Sequence, residues 1–426
     1  MGGVEPGWGP DSLMVSEGGV YTQSSEHMIS HTREVGIGLL AVLTLVSAIA
    51  PLSIDTYLPA LPSVAVELGS PPAAVQLTLT AFLFGLAIGQ LVLGPLSDRV
   101  GRRRPLIAGT TVCVVASLGC ALAPGIELLV AARFVQGAAG AAGVVIARAV
   151  VADCAHGTAA ARVFAMMASV QGLAPVLAPL AGALLGPVVG WRGIFGVLSA
   201  VTAVMAIGTV LLVRESLPPA ARRPGSMPVL ARSLLVVARD RAFLAPALTF
   251  SCAFGALFGY IAASPFVVQN LLGLSVGWFS LTFAANAAGL ALSSALSAQL
   301  VARLGPRRLL TAGLVLLLCC TLALVVVTAA LPLRTGPGRV LVLMLLLGAS
   351  IAIGQVFGNA TSLALAAARH RAGAGSAVLG ALQFAVGGIA SPLVGLGEAN
   401  TALPMALTMT AFATLACAAL LCSPHQ

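Results

Sequence analysis

The sequence predicts an all-α polytopic membrane protein: twelve transmembrane helices forming two parallel-repeat six-helix bundles, with both termini in the cytoplasm. Three observations carry this. Of 426 residues, 59% are hydrophobic and only 8% charged, with a mean hydropathy of +1.03, whereas a soluble chain carries roughly 25% charged residues. The charges cluster between apolar windows long enough to cross a bilayer, and one charged loop sequence recurs at the same place in both halves.

Hydrocarbon about 30 Å thick needs roughly 20 apolar residues at about 1.5 Å each. Windows of that size fall at 36–60, 75–97, 105–124, 127–152, 162–187, 192–213, 243–267, 276–301, 308–331, 338–366, 372–396 and 402–422. All 22 basic residues are Arg, and 17 of them lie in the amino-terminal tail or in every second connection: Arg33; Arg99, Arg102, Arg103 and Arg104; Arg162; Arg214, Arg222, Arg223, Arg232, Arg239 and Arg241; Arg303, Arg307 and Arg308; Arg369 and Arg371. Arg192, Arg334 and Arg339 fall on the other side, and Arg133 and Arg148 lie inside the fourth span. The positive-inside rule places the Arg-rich connections in the cytoplasm. The net charge of +9 therefore reflects topology, and no basic patch interleaved with aromatics points to a nucleic-acid partner.

Residues 1–34 are Gly- and Ser-rich and hold Glu5, Asp11, Glu17, Glu26 and Glu34. They lack the apolar core of a signal peptide and read as a disordered cytoplasmic tail, with Met14 and Met28 as alternative initiators. The expected division is 35–213 for the amino-terminal bundle, 214–242 for a cytoplasmic linker, 243–422 for the carboxy-terminal bundle and 423–426 for a tail. The eight Cys show no paired or metal-ligand spacing and read as small buried hydrophobes.

Aligning GPLSDRVGRRRPLI (94–107) with AQLVARLGPRRLLT (298–311) superposes Arg99 on Arg303, Gly101 on Gly305 and Arg103-Arg104 on Arg307-Arg308, each after the second span of its half. A same-sense repeat means two parallel bundles, with substrate between them near mid-membrane and rocking of the halves exposing it to each side. GPLSDRVGRRRP resembles the loop after the second helix of the major facilitator superfamily. That resemblance implies a cytoplasmic latch of Gly94, Asp98, Arg99, Gly101, Arg102 and Arg103, the carboxylate pairing with Arg and facing a helix N-terminus in one conformation. The second copy has Ala302 in place of Asp98, so only the first is complete. PLSIDTYLPALP, RFVQGAAGAAGVVIARAVVAD, YIAASPFVVQ, FAANAAGLALSSALSAQL and GNATSLALAAARHRAGAGSAVLGALQF resemble the Bcr/CflA branch, the bicyclomycin and chloramphenicol resistance drug:proton antiporters. This implies a multi-pass protein of the inner cell membrane, working as a monomer, that expels a small lipophilic antibiotic on the proton gradient and needs no cofactor or metal.

Within the spans, Asp55 is the one charge between Val35 and Ala60. Five residues from the end of its span, it lies about 7.5 Å deep, and Arg133, six residues into the fourth, about 9 Å deep. Either charge alone in hydrocarbon costs about 2.5 kcal/mol or more, so an Asp55–Arg133 pair, direct or through water, is expected. A movement that changes their separation or the wetting of the carboxylate changes its proton affinity, which is what coupling requires; a static ion pair, or an Asp55 snorkelling outward, would explain the same letters. The resemblance gives both residues roles in proton and substrate handling. Some multidrug relatives carry a second acid eight residues earlier, where this chain has Ser47, so a neutral or weakly charged substrate is expected. QGLAPVLAPLAGALLGP (171–187) resembles a degenerate antiporter motif carried by Gly172, Pro175, Pro179 and Gly182, with Ala178 and Ala181 where Gly is common; small-residue packing is the alternative. Tyr57, Gln136, Gln171, Tyr260, Phe266, Asn286, Asn359 and Gln383 are the candidates for the substrate cavity, and Arg148 with Asp153 for a gate or interfacial pair. His156 and His370 are expected in loops. An exporter of an endogenous metabolite or another solute carrier of the same fold stays open, whereas no nucleotide loop, metal cluster or nucleophile–base spacing supports an enzyme.

Overall fold

The structure, a computed structural model, describes residues 2, 36–155, 157–222, 227–334, 336–395 and 401–422. Residue 2 apart, the tail expected over 1–34 lies outside the described residues, as do 423–426 and His156. His370 lies in a short 3₁₀ turn, Arg369–Arg371.

Prolines shape the first span, which is not the continuous helix expected over 36–60. It consists of α1 (Ile37–Ser47), α2 (Ile49–Asp55), a 3₁₀ turn (Leu58–Ala60) and α3 (Leu61–Glu67). Pro51 has no N–H for the Ser47 carbonyl four residues back and its ring crowds that oxygen; the chain leaves helical geometry at Ala48 (φ −93°, ψ 0°). Pro59 stands in the same relation to Asp55, where α2 stops. The acid therefore ends a seven-residue segment broken on both sides.

The next elements are α4 (Pro72–Val100), α5 (Arg103–Ala121), α6 (Ile126–Cys154) and α7 (Gly157–Leu212). From Arg162 on, α7 runs 51 residues, about 76 Å and more than twice the thickness of the hydrocarbon. It folds back at Gly190, whose φ of 65° and ψ of 179° are not helical. The fifth and sixth spans thus meet at a one-residue corner that only glycine adopts readily. The linker expected over 214–242 contains a helix that no sequence signal had announced, α8 (Met227–Arg239). Then come α9 (Arg241–Pro265), capped by the Asp240 carboxylate accepting from the Ala242 N–H at 2.9 Å and followed by a π-turn (Phe266–Leu271), α10 (Val276–Leu304), α11 (Pro306–Ala330), α12 (Pro337–Ala367), α13 (Ala372–Leu393) and α14 (Leu403–Leu421). Among the described residues, eleven helices are long and apolar enough to cross a membrane; dividing α7 at Gly190 makes twelve passes. Of the Cys, only Cys113, Cys120 and Cys252 are buried, so the expectation of buried cysteines fails for the other five: Cys154, Cys320 and Cys417 are half-buried against the core, and Cys319 and Cys422 are exposed.

The sequence repeat is a repeated helix terminus. Helices α4 and α10 each have 29 residues and end at a glycine in the left-handed region, Gly101 (φ 98°) and Gly305 (φ 77°). A side chain at Gly305 would meet nothing within 4 Å, whereas one at Gly101 would collide with the Glu215 carboxylate. The two copies share a backbone and differ in what is docked on it.

Backbone contact between α4 and α6 sets the architecture of the first six spans. A Cβ on Gly85 would overlap the Phe134 carbonyl, one on Gly89 the Ala138 carbonyl, and one on Gly137 the Phe82 carbonyl. Small residues four apart let membrane helices approach to backbone distance, and none of the three sites has a flexible neighbour that can yield. Gly85→Leu is expected to cost about 1–3 kcal/mol or more through overpacking, read as a lower thermal unfolding midpoint in detergent; an unchanged midpoint would refute the close contact. At the Arg-poor end, Glu67 clamps α3: it accepts from Trp191 Nε1 at 2.6 Å and pairs with Arg192. Arg192 also donates to the Ala123 carbonyl at 3.0 Å and lies 4.2 Å over the Trp191 ring.

Candidate transport site

A cavity of about 990 Å³ opens between α2 and α7 on one side and α9, α10, α12 and α13 on the other. Its second-half wall is aromatic. Phe254 and Phe258, one helical turn apart on α9, lie 4.8 Å centroid to centroid; Phe384 meets Phe254 edge-on at 5.4 Å and Phe357 lies 6.0 Å from it. Tyr260 stacks on Phe283 at 5.7 Å, and its hydroxyl oxygen accepts from Asn286 Nδ2 at 2.7 Å. The first-half wall carries Pro51, Ile54, Asp55, Gln171, Gly172 and Pro175. Size and apolar lining match sites for drug-sized molecules, which run to about 1,000 Å³.

Among the described residues, four hydrogen bonds join the two halves, all at the Arg-poor end: Gln269 Nε2 donates to the Pro59 carbonyl (3.1 Å), Ser280 Oγ to Pro179 (2.9 Å), Gln76 Nε2 to Ala262 (3.2 Å) and Ser391 Oγ to the Gln76 carbonyl (3.2 Å). In the other direction the lining reaches Ala168 and Ala298, each six residues, or about 9 Å, from the Arg-rich end. The cavity is thus capped at one end and extends toward the other.

Asp55 and Arg133 do not form the expected pair. Asp55 is 5% exposed, faces the cavity, and has no hydrogen bond or ion pair among the described residues. Arg133 is fully buried inside the first half: its Nη1 donates to the Ser53 carbonyl (3.1 Å) and to Gln136 Oε1 (2.6 Å). The guanidinium carbon lies 4.4 Å from the Phe82 ring centre, 5.4 Å from Tyr57 and 5.7 Å from Phe195, an aromatic box for a cation. Matching depths did not suffice, because facing is set by azimuth. Asp55 lines the cavity, and it is Tyr57, beyond the end of α2, that turns toward Arg133.

Of the other residues predicted for the cavity, Gln171, Tyr260 and Asn286 line it. Tyr57 belongs to the Arg133 box, as does Gln136, whose Nε2 donates to Ser117 Oγ at 2.8 Å. Asn359 is spent holding α12 to α10, donating to Ser297 Oγ and to the Gln355 carbonyl, both at 2.7 Å. Phe266 is buried in the π-turn and Gln383 is half-buried on α13, neither in the cavity wall. Of the motif in the fifth span, Gly172 and Pro175 line the cavity, Pro179 supplies the carbonyl for Ser280, and Gly182 lies against the Thr56 carbonyl.

The latch residues converge on Arg102, which is 9% exposed. Its guanidinium pairs with Asp98, donates to Ser97 Oγ (2.8 Å) and reaches Asp153 Oδ2 (3.1 Å) on α6. Asp153 also accepts from Ser216 Oγ at 2.9 Å, so the expected Arg148–Asp153 pair is not formed. Glu215, which the loop motif does not contain, accepts from the Arg102 N–H (2.7 Å) and the Arg103 N–H (3.4 Å). Arg103 in turn donates to the Val213 and Val210 carbonyls at 2.8 and 3.0 Å. Arg99 is exposed and Gly94 packs against Val145. Burial pushes the Glu215 carboxyl up, but the N–H donors of Arg102, Leu217 and Arg103, with the Arg222 charge, outweigh it and hold the group below its ordinary 4.5. A depressed acid stabilises the fold at pH above its unfolded value and loses that contribution as pH falls through the folded value. Glu215→Gln is therefore expected to cost about 1 kcal/mol at pH 7, discounted for partial exposure, and progressively less at an acid pH where the folded carboxyl is protonated. Thermal midpoints at pH 7 and at such an acid pH check it; equal losses at both would refute it.

Residues 43–392 match the Major Facilitator Superfamily model. The chain belongs to this superfamily. It is 38% identical over 379 residues to the uncharacterized MFS-type transporter YdgK of Bacillus subtilis, covering 88% of this chain and 90% of that one. It is 30% identical to the bicyclomycin resistance protein homolog of Haemophilus influenzae (87% and 92% covered) and 29% identical to the chloramphenicol resistance protein of Pseudomonas aeruginosa (86% of each). A crystal structure of a bacterial homolog of the human lysosomal transporter Spinster, inward-facing and unoccupied, superposes with a TM-score of 0.72 at 18% identity, covering 90% of this chain and 95% of that one. This major facilitator protein is a multi-pass membrane transporter, not an enzyme.

Besides Glu215, the residues that sequence reasoning missed in this transporter are the phenylalanines of the cavity wall. Phe250, Phe254 and Phe258 recur every fourth residue on one face of α9, a signal that was legible but has the same form as core packing.

Proposed function

We propose that the protein exports a small, lipophilic, neutral antibiotic, of the chloramphenicol or bicyclomycin kind, in exchange for protons entering down their gradient. In this reading the Arg-rich end faces the cytoplasm, as the positive-inside rule requires, and the cavity loads from there by alternating access in the inner membrane. The drug-resistance relatives favour export. The observation that carries the proposal is the cavity wall: five phenylalanines, a few neutral polar groups and one carboxylate, Asp55. An apolar aromatic surface binds a lipophilic molecule by area and shape, and a lone acid open to the same space is where a proton and a substrate can exclude one another. Each chain holds its own cavity, so a monomer suffices and the proton gradient is the energy source.

The test is expression in a pump-deficient strain, with susceptibility measured against amphenicol, bicyclomycin-like and dicationic compounds. Raised resistance to the neutral compounds, with drug-stimulated proton release from everted vesicles, is the expected result. Resistance confined to dications, or proton movement of the opposite sign, would overturn the reading.

A further inference from the structure

Arg148 stands in a membrane-spanning helix, and among the described residues no acid pairs with it. Asp153, five residues on, is about 140° away around α6 and is engaged by Arg102. The Arg148 side chain is exposed, and its Nη2 donates to Gln171 Oε1 at 2.7 Å. Gln171 is on α7 and lines the cavity. The guanidinium is therefore joined directly to a residue of the cavity wall.

The position along the membrane follows from register. Gly182 of α7 is level with Thr56, against whose carbonyl it packs, and Gln171 lies eleven residues nearer the Arg-rich end, about 16 Å. The wall itself carries one charge, the Asp55 carboxylate, and the Arg148 guanidinium stands one hydrogen bond behind it at Gln171, nearer the Arg-rich end.

We propose that Arg148 is a specificity-determining residue, a cationic sill across which substrate passes, which selects against lipophilic cations and admits neutral molecules. The inference rests on the exporter reading and gives it a physical cause: a single guanidinium offsets the attraction of Asp55 for positive charge. A monocation held about 10 Å from a guanidinium, at an effective dielectric of about 20, loses about tenfold in affinity, whereas an uncharged ligand of the same size loses nothing by that mechanism.

The experiment is equilibrium dialysis of purified, monodisperse protein against labelled tetraphenylphosphonium and a labelled amphenicol, for wild type, Arg148→Gln, Arg148→Ala and Arg148→Lys. The ratio of tetraphenylphosphonium to amphenicol affinity is expected to rise about tenfold in R148Q and R148A and to stay near the wild-type ratio in R148K, which keeps the charge. A flat ratio in R148Q and R148A, with wild type binding the amphenicol, overturns this inference alone. A shift in R148K equal to that in R148Q also overturns it, since geometry and not charge would then be responsible. Wild-type protein that binds neither compound overturns the exporter reading itself.

Discussion

Asp55→Asn is expected to abolish proton-driven drug accumulation in everted vesicles while drug still equilibrates down its own gradient. The other described acids lie elsewhere: Asp98, Asp153 and Glu215 are tied to Arg102, Glu67 to Trp191 and Arg192, Asp240 caps α9, and Glu127 is exposed in the first turn of α6. Asp55 alone faces the cavity without a hydrogen-bond partner. An unpartnered acid in a compartment that opens and closes takes up or gives up a proton according to what it touches in each state; an amide of the same shape cannot. Asp55→Glu keeps the carboxylate at the end of a segment already broken by Pro59, and is expected to retain reduced but still pH-dependent transport. Dissipating the pH gradient with a protonophore should then collapse accumulation in wild type and D55E and have no effect in D55N. Full coupled transport by D55N would sink the mechanism, leaving Asp55 as a packing residue.

How far the sequence could be read divides along physical lines. The twelve passes and the repeated loop were legible because both follow from one-dimensional quantities, the length of apolar runs and the recurrence of Gly and Arg at fixed spacing. The break in the first span was also written there, in Pro51 and Pro59, but proline within an apolar run often bends a membrane helix without breaking it, so the letters did not decide between the two. The Asp55–Arg133 pairing failed for a different reason. Depth along a helix can be counted from its end, whereas the direction a side chain faces depends on accumulated rotation, and the breaks at Ala48 and Asp55 reset that rotation. The same limit moved Tyr57 and Gln136 out of the cavity and hid Glu215, whose contacts with Arg102 and Arg103 exist only because the end of α7 returns beside Gly101. Gln136, Tyr260, Asn286 and Asn359 are buried and hydrogen-bonded, whereas Gln171 and Gln383 are only half-buried; whether a polar residue met the cavity or a neighbouring helix was a matter of facing.

The Arg133 box yields the second large effect, and its sign depends on the replacement. Arg133 is a fully buried cation with no acid beside it among the described residues, and such a group is costly to keep. Replacing a buried charge by an apolar side chain of similar volume is often neutral or stabilising, and Phe82, Tyr57 and Phe195 would accept a methionine. Arg133→Met is therefore expected to fold with a stability within about 1–2 kcal/mol of wild type, the main loss being the donor to Gln136 Oε1. Arg133→Lys keeps the charge but replaces the flat guanidinium packed among Phe82, Tyr57 and Phe195 by a compact, more strongly hydrated ammonium, and is expected to lose about 2–4 kcal/mol. Transport should run the other way from stability. The guanidinium holds the carbonyl of Ser53, two residues from Asp55 in the segment between the two proline breaks, so without it α2 is free to change the pose of the acid. R133M should then be well folded and defective in transport, with the pH at half-maximal efflux displaced from wild type, whereas a purely structural role predicts loss of transport only in step with loss of fold. Thermal midpoints and the pH profile of efflux, measured on the same preparations, separate the two. A stable R133M that pumps with the wild-type pH profile would show that the charge serves neither positioning nor coupling.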